Sequence, residues 1–455
     1  MSRHTPSAGA GRAGLPLTIA CVGFPFWWLL GVGEFIFILV AFPMALTLWR
    51  RGSLVVPRGF LLWVGFLCLV LTGPLMLTAQ APDSARGGLF GALLTFTFRL
   101  LWYLSVTVAL LYVVNLRENE LSSMRITRLL GYMFVVTVLG GLLGVLAPTF
   151  ELTSPIEVLL PASLAENTLV LSSVHPAAAD LQDVLGYEQA RPRAPFPYAN
   201  TWGASFSFFL PFFLYSWVWR GNGWRRLASV PILIAGSVGV VYSLNRGLWA
   251  ILVLGVVYFM AQRLRHGGLS TFGFTVAAVM MTVTAVLVSP LSTIVQERLE
   301  NQHSNARRSE LAAKTVSSMV QGSPVIGFGN TRAVQGNFGS IAGGATPECP
   351  SCRVPPLGTQ GQAWLVLFSQ GVLGGLLFFG FFLRRLFAHV ASRNTLTMFA
   401  LPVVVFFLIE TLIYDTLGSP LFAVMMALGL MWRADFAPRA GDAVSSSHIQ
   451  DKVTT

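Results

Sequence analysis

The chain has 455 residues, 54% of them hydrophobic and only 11% charged, against about 25% charged in soluble proteins, and its mean hydropathy of +0.67 excludes an ordinary soluble domain. The formal net charge of +11 does not argue for nucleic acid. Basic residues of a polytopic protein are expected first in cytoplasmic loops against anionic headgroups, and no basic-aromatic tract of the RNA-binding kind is present.

Residues 1–14 are small, polar and basic and read as a disordered cytoplasmic tail. Leu15 to Gly31 imitates a signal peptide, but another apolar run follows at once and no small-residue cleavage site stands out, so it reads as a first membrane helix. A span needs ~20 apolar residues. On that ruler the sequence predicts twelve segments, at 15–32, 34–49, 59–79, 89–115, 127–147, 201–219, 227–244, 246–262, 270–289, 362–383, 396–414 and 417–432. The second and last are short. The predicted class is an all-α polytopic membrane protein, with five helices over 15–147, four over 201–289, three over 362–432 and a tail over 433–455.

Placing the N-terminus inside makes every cytoplasmic loop basic, through Arg50, Arg51, Arg58, Arg117, Arg125, Arg220, Arg225, Arg384 and Arg393 among others. The short outer connections hold little beyond Arg86, as the positive-inside rule requires. Both termini are then cytoplasmic, and loops 148–200 and 290–361 are extracytoplasmic.

The first outer loop begins acidic and ends in Arg191-Pro192-Arg193-Ala194-Pro195-Phe196-Pro197-Tyr198. Its prolines hold the backbone extended, so Arg191 and Arg193 are expected on a stiff arm, with headgroup contact as the plainer reading. At Asn245-Arg246-Gly247 two apolar runs meet almost without a loop. An arginine at that depth needs an anion, water or a partner, or must snorkel to the interface. The second loop carries Arg298, His303, Arg307, Arg308, Glu310 and Lys314 in a helical stretch, then Gly327-Phe328-Gly329, read as turns because no strand precedes them and no Gly-Lys-Ser/Thr follows. Cys349 and Cys352 lie in the same loop without two further ligands at zinc spacing, so a local disulfide or free thiols are expected and no metal.

Taken in order, these elements resemble the O-antigen ligase and polymerase family. The resemblance rests on Arg191-Pro192 with Asn200 nine residues on, the Asn245-Arg246-Gly247 turn, Arg308 nineteen residues before Gly327, and Leu357-Gly358-Thr359-Gln360 leading to Gln370-Gly371-Val372-Leu373-Gly374. It implies a C-type glycosyltransferase-like architecture and metal-free transfer, without a cofactor, from a polyprenyl-pyrophosphate-linked glycan to a glycan or lipid acceptor. The cell would be bacterial and the site on the outer side of its cytoplasmic membrane. It also implies that Arg191, Arg246 and Arg308, or its neighbour Arg307, hold the donor pyrophosphate. Guanidinium forks match phosphate oxygens, and a reaction without metal needs them against the leaving charge.

Where the family has a histidine that activates the acceptor, this chain has Gln360, which can orient a hydroxyl but not take its proton. Three readings stay open: another base, with His303 or Glu310 as candidates; a reaction needing only orientation; or a protein that binds or moves lipid-linked glycan without transferring it.

Charges within the membrane are functional candidates by default. Arg99 lies near mid-bilayer, and Glu410 and Asp415 near the outer end of the eleventh segment. They form either a structural Arg99–Glu410 pair or a groove in which Arg99 meets the lipid carrier and Glu410 or Asp415 the acceptor. Tyr198 and Trp202 flank the Arg191 arm and read as interface aromatics or as sugar-stacking rings. A transporter or flippase is the rival function, for which internal repeats and paired broken helices are expected.

Overall fold

The computed structural model describes residues 13–85, 88–161, 164, 167–183, 187–265, 291–300, 303–335 and 355–436. It is mostly helical. The elements are α1 (Leu15–Val22), α2 (Phe24–Leu29), α3 (Phe35–Trp49), α4 (Phe60–Leu71), α5 (Leu89–Asn115), α6 (Ser123–Leu146), α7 (Pro155–Leu159), α8 (Thr168–Val174), β1 (Ala179–Asp183), β2 (Glu188–Pro192), α9 (Ala199–Phe213), α10 (Trp224–Tyr242), α11 (Arg246–Arg265), α12 (Leu291–Glu300), α13 (His303–Gly322), α14 (Gln362–His389), α15 (Thr395–Glu410) and α16 (Ser419–Phe436).

Each predicted segment within the described residues falls on a helix or a pair of helices. Four of them, α5, α6, α10 and α14, are long and apolar enough to cross a membrane by length and composition. The segment 270–289, the tail beyond Phe436 and the Cys349/Cys352 pair lie outside the described residues.

Local chemistry explains the helix ends. Ser122 caps α6 by accepting from Arg125 N at 3.1 Å, and Asn394 caps α15 by accepting from Leu396 N at 2.9 Å. The first predicted span is two short helices, because Gly23 interrupts it and Pro25 restarts it. Pro211 lies near the end of α9, which passes into a π-turn over Leu214–Trp219. Glu34, in the turn before α3, accepts from Ser419 N at 2.9 Å and Ser419 Oγ at 2.7 Å. It thus caps α16 from another helix, with a carboxylate at the positive dipole end.

The centre of the bundle is made by α9 and α16, which are buried almost all round, as expected for helices with no polar face. The short last segment is therefore a fully packed core helix. Small residues let α6 approach α9: a Cβ on Gly131 would lie 2.6 Å from Ser216 Oγ, and one on Gly141 2.5 Å from the Trp202 ring. A second aromatic core joins Trp63, Phe66, Phe378, Phe382 and Phe407.

One element departs from its sequence reading. The Gly327-Phe328-Gly329 stretch does not form simple turns; it crosses a break in α14 at Gly371, whose φ is +65°. Phe328 N and Gly329 N donate to Phe368 O and Ser369 O at 2.9 and 2.8 Å, and Val372 N donates to Pro324 O at 2.9 Å. The loop backbone thus takes up groups that the broken helix leaves unpaired. Only glycine fits there, since a Cβ on Gly371 would stand 2.2 Å from Val325 O and one on Gly327 about as close to the α14 backbone, at 2.5 Å.

Candidate functional site

Arg191 reaches the site from a hairpin rather than from an extended arm. Strands β1 and β2 pair antiparallel with Asp180 opposite Arg191, and the guanidinium is buried. Its Nε donates to Ser243 O at 2.7 Å, Nη1 to Gln182 Oε1 at 2.6 Å and Nη2 to Asn200 Oδ1 at 3.1 Å. Headgroup contact is excluded by that burial. Arg298 of α12 comes to the same turn, donating from Nε to Leu244 O at 2.9 Å.

The turn that receives both arginines is strained: Leu244 has φ +52°, unusual for a branched, bulky residue. That conformation aims two successive carbonyls, Ser243 and Leu244, at two guanidinium groups. Asn245 follows and caps α11 through Leu248 N at 2.9 Å, while Tyr414 Oη donates to Asn245 Oδ1 at 2.5 Å. Gly247 makes room for that ring, since a Cβ would meet it at 2.6 Å. Arg308 of α13 lies 5.0 Å over the Tyr414 ring and donates to Ile413 O at 3.3 Å, with its Nε buried and unpartnered among the described residues.

Arg246 begins α11 beside Asn245, so four arginines converge on one tyrosine and one strained turn. Their mutual repulsion is real: burial first, then Arg246, Arg191 and Arg308, pull Arg298 down to about 10. Arg191 is lowered by burial as well, with Tyr414 and Asp180 pulling the other way and Arg308 adding to the fall. An anion placed among them would relieve the repulsion.

Asp415 adjoins this cluster in the turn between α15 and α16. Its carboxylate accepts from Gly361 N at 3.2 Å and from the backbone N–H of Gln360, whose φ is +68°. Gln362 N donates to Tyr414 O at 3.0 Å, which locks the start of α14 against the same turn. Burial raises Asp415 above the usual carboxylate range, against the opposing pulls of Arg99, the two N–H groups and Arg308. Asp415 is nevertheless exposed to solvent. Tyr198, 42% exposed, lies close enough to Asp415 to feel its charge.

Several expected residues stand elsewhere. Arg99 pairs with Asn330, and also with Thr331 at 3.3 Å, instead of with Glu410. Glu410 is buried and accepts from Ser207 Oγ at 2.9 Å, with its second oxygen unpartnered. The expected Arg99–Glu410 pair is not formed because the Asn330 loop reaches Arg99 first. Trp202 is neither a sugar platform nor an interface ring: fully buried, it donates to Thr137 O at 2.9 Å between α6 and α9. Arg193 is a clip for its own loop, bound to Asp180 at 3.0 Å and to Pro197 O at 3.1 Å. Glu310 is exposed, 3.7 Å from Lys314 one turn on. His303 and Arg307 belong to α13, but their side chains lie outside the described residues.

Sequence reasoning did not select Arg298, Tyr414 or Arg332 for the site. Arg332 donates to Met76, Leu77 and Phe328 carbonyls at 2.9, 3.1 and 3.0 Å, holding the loop that carries Asn330. The available signal for Tyr414 was its place next to Asp415 at the end of an apolar segment. Comparison of the chain with protein-family models and with curated proteins finds no match.

Proposed function

We propose that the protein is a membrane glycan transferase. It moves an oligosaccharide from a polyprenyl-pyrophosphate donor to an acceptor hydroxyl on the outer side of a bacterial cytoplasmic membrane, in cell-envelope polysaccharide synthesis. The observation that carries this reading is the convergence of Arg191, Arg246, Arg298 and Arg308 beside an accessible carboxylate, Asp415. Four guanidinium groups suit a pyrophosphate, whose oxygens they bind bidentately, and a carboxylate of raised pKa suits a general base.

In the proposed step the acceptor oxygen attacks the sugar carbon attached to the pyrophosphate and forms the new glycosidic bond. The carbon–oxygen bond to the pyrophosphate breaks, and its electron pair leaves with the phosphate. The hydroxyl proton passes to Asp415. The arginines neutralise the leaving charge, and single displacement inverts the anomeric carbon. Gln360, whose backbone binds Asp415, would orient the acceptor with its amide. Asp415 thereby replaces His303 and Glu310 as the preferred base, because it adjoins both Gln360 and the arginines.

A transport or binding role is the second reading, favoured by the break in α14 at Gly371. Broken helices in transporters leave free backbone groups for ions. Here the Phe328 and Gly329 N–H groups occupy those carbonyls, which weakens that reading. The deciding experiment is transfer from a purified polyprenyl-pyrophosphate glycan in detergent with chelator present. Release of the pyrophosphate carrier by wild type, and its loss in Arg246→Ala, supports a transferase. Arg246-dependent binding without release with any acceptor supports the second reading.

A further inference from the structure

A second arginine cluster lies at the other end of the bundle, roughly 40 Å away along α14 at 1.5 Å per residue. A recess of about 1050 Å³ opens there between the end of α14, the loop into α15 and the end of α16. At its base is Arg385, 5% exposed and stacked 4.8 Å over the Trp432 ring. Its Nη2 is buried with no hydrogen-bond partner among the described residues. A buried guanidinium N–H left unpaired is costly, so this atom points to a missing acceptor.

The charge around the recess asks for an anion. Arg58, Arg384 and Arg393 also line it and are exposed, and Asn394 places the N-terminus of α15 at its edge. The carboxylate there, Asp435, is already taken by His389 Nε2 at 2.9 Å, while His389 Nδ1 lies 2.8 Å from Arg385 O. Among the described residues, four guanidinium groups thus face one engaged acid.

We propose that this recess binds the phosphate headgroup of an anionic lipid. Arginine forks suit a phosphate, and basic pockets between membrane helices are established headgroup sites in general. The flank favours a lipid over a soluble anion: Phe387 of α14 and Val390 just past its end are 70% and 52% exposed, and Leu61, three residues after Arg58, is 83% exposed. Acyl chains can lie against those side chains while Arg385, Arg384 and Arg393 hold the phosphate.

The test is native mass spectrometry of the full-length protein in detergent, titrated with dioctanoyl phosphatidylglycerol, dioctanoyl phosphatidylcholine or inorganic phosphate. Wild type should retain phosphatidylglycerol in preference to phosphatidylcholine. Retention should weaken roughly tenfold in Arg385→Gln, the loss expected for one charge-assisted bond. It should fall several-fold in Arg393→Gln, an exposed position whose change spares the core, and hold in Arg226→Gln, exposed in the first turn of α10. Equal phosphatidylglycerol retention by wild type, Arg385→Gln and Arg393→Gln would overturn the proposal, as would equal retention of the two lipids. Inorganic phosphate displacing phosphatidylglycerol at matching concentration would overturn the lipid as source and leave free phosphate as the ligand.

Discussion

The Asp415 site and the loops around Glu118 and Glu120 use arginine in opposite ways. At the end away from Asp415, Arg51 is ion-paired with Glu120, and Arg433 lies 2.9 Å from Glu118 while donating to Leu121 O at 2.8 Å. These pairs fasten loops to helices. At the Asp415 end, Arg191 is satisfied by a carbonyl and two amide oxygens, and Arg308 meets only a carbonyl and the face of Tyr414 among the described residues. A carboxylate cancels a guanidinium's charge, whereas a carbonyl or a ring satisfies its geometry and leaves the charge in place. Arg193, clipped to Asp180 at 3.0 Å, shows that the same end can also neutralise an arginine when its task is structural. The nature of the partner, more than the number of arginines, separates a fastening from an anion site.

The largest expected effect follows from Asp415. As the base it must be ionised, and its folded pKa is raised, so transfer should climb with pH through a midpoint above the ordinary carboxylate range. Asp415→Asn should cost about 10²–10⁴ in turnover, the usual worth of a general base, and flatten that limb. A pH–rate profile of both proteins decides it; an unchanged limb in the variant would assign the proton to another group. Arg308→Ala comes next, with a loss of about 10²–10³ in turnover, as for removal of one group that stabilises leaving charge. Its thermal midpoint in detergent should barely move. A large drop in stability instead would make Arg308 a fastening like those of the opposite end.

Much of this contrast was legible in the sequence. Arg246 was singled out because a cation at that depth needs a reason, and Arg191 and Arg308 through the family resemblance; the structure brings the three together. Arg298 was passed over because its helix, read alone, alternates in charge like a solvated face; only tertiary packing against Leu244 O buries it. Trp202 and Arg193 misled for the converse reason. Their neighbours in sequence lie at the site, but their side chains turn into the α6–α9 interface and into their own loop. The threading of Gly327–Gly329 through α14 was not legible, since it depends on backbone groups freed by a break at Gly371 that no side chain announces. Its two halves had each been noted as motifs, without a sign that they touch.

That threading supplies a test of whether the Asp415 end is rigidly built. Gly371→Ala forces a residue with a Cβ into φ +65° with the new atom 2.2 Å from Val325 O. Backbone strain of that kind costs about 1–3 kcal/mol. The thermal midpoint should fall, and turnover with it, because the same loop delivers Asn330 to Arg99. Gly380→Ala is the matched control on the same helix, its Cβ meeting only Leu62 Cδ1 at an ordinary 3.7 Å. A Gly371→Ala protein as stable as that control would mean the crossing can relax and that the loop is not held by the break.

The smallest effect is expected at the opposite end, and it is the one that sharpens the comparison. Arg51 and Glu120 are 23% and 25% exposed, and ion pairs with that access to water are worth about 0.2–1 kcal/mol. Burial pushes the Glu120 carboxyl up, but Arg51 and the Arg117 N–H together hold it below its usual range. A carboxylate lowered in the fold contributes stability above its unfolded pKa and loses that contribution as pH falls through the folded one. Arg51→Gln should therefore be slightly less stable than wild type at neutral pH and indistinguishable from it in acid, with turnover within about twofold of wild type at that modest energy. Thermal melts at the two pH values, beside the transfer assay, measure both. Should turnover instead fall as far as in Arg308→Ala, a paired arginine would matter to transfer as much as an unpaired one. Partner chemistry would then no longer tell a fastening from an anion site.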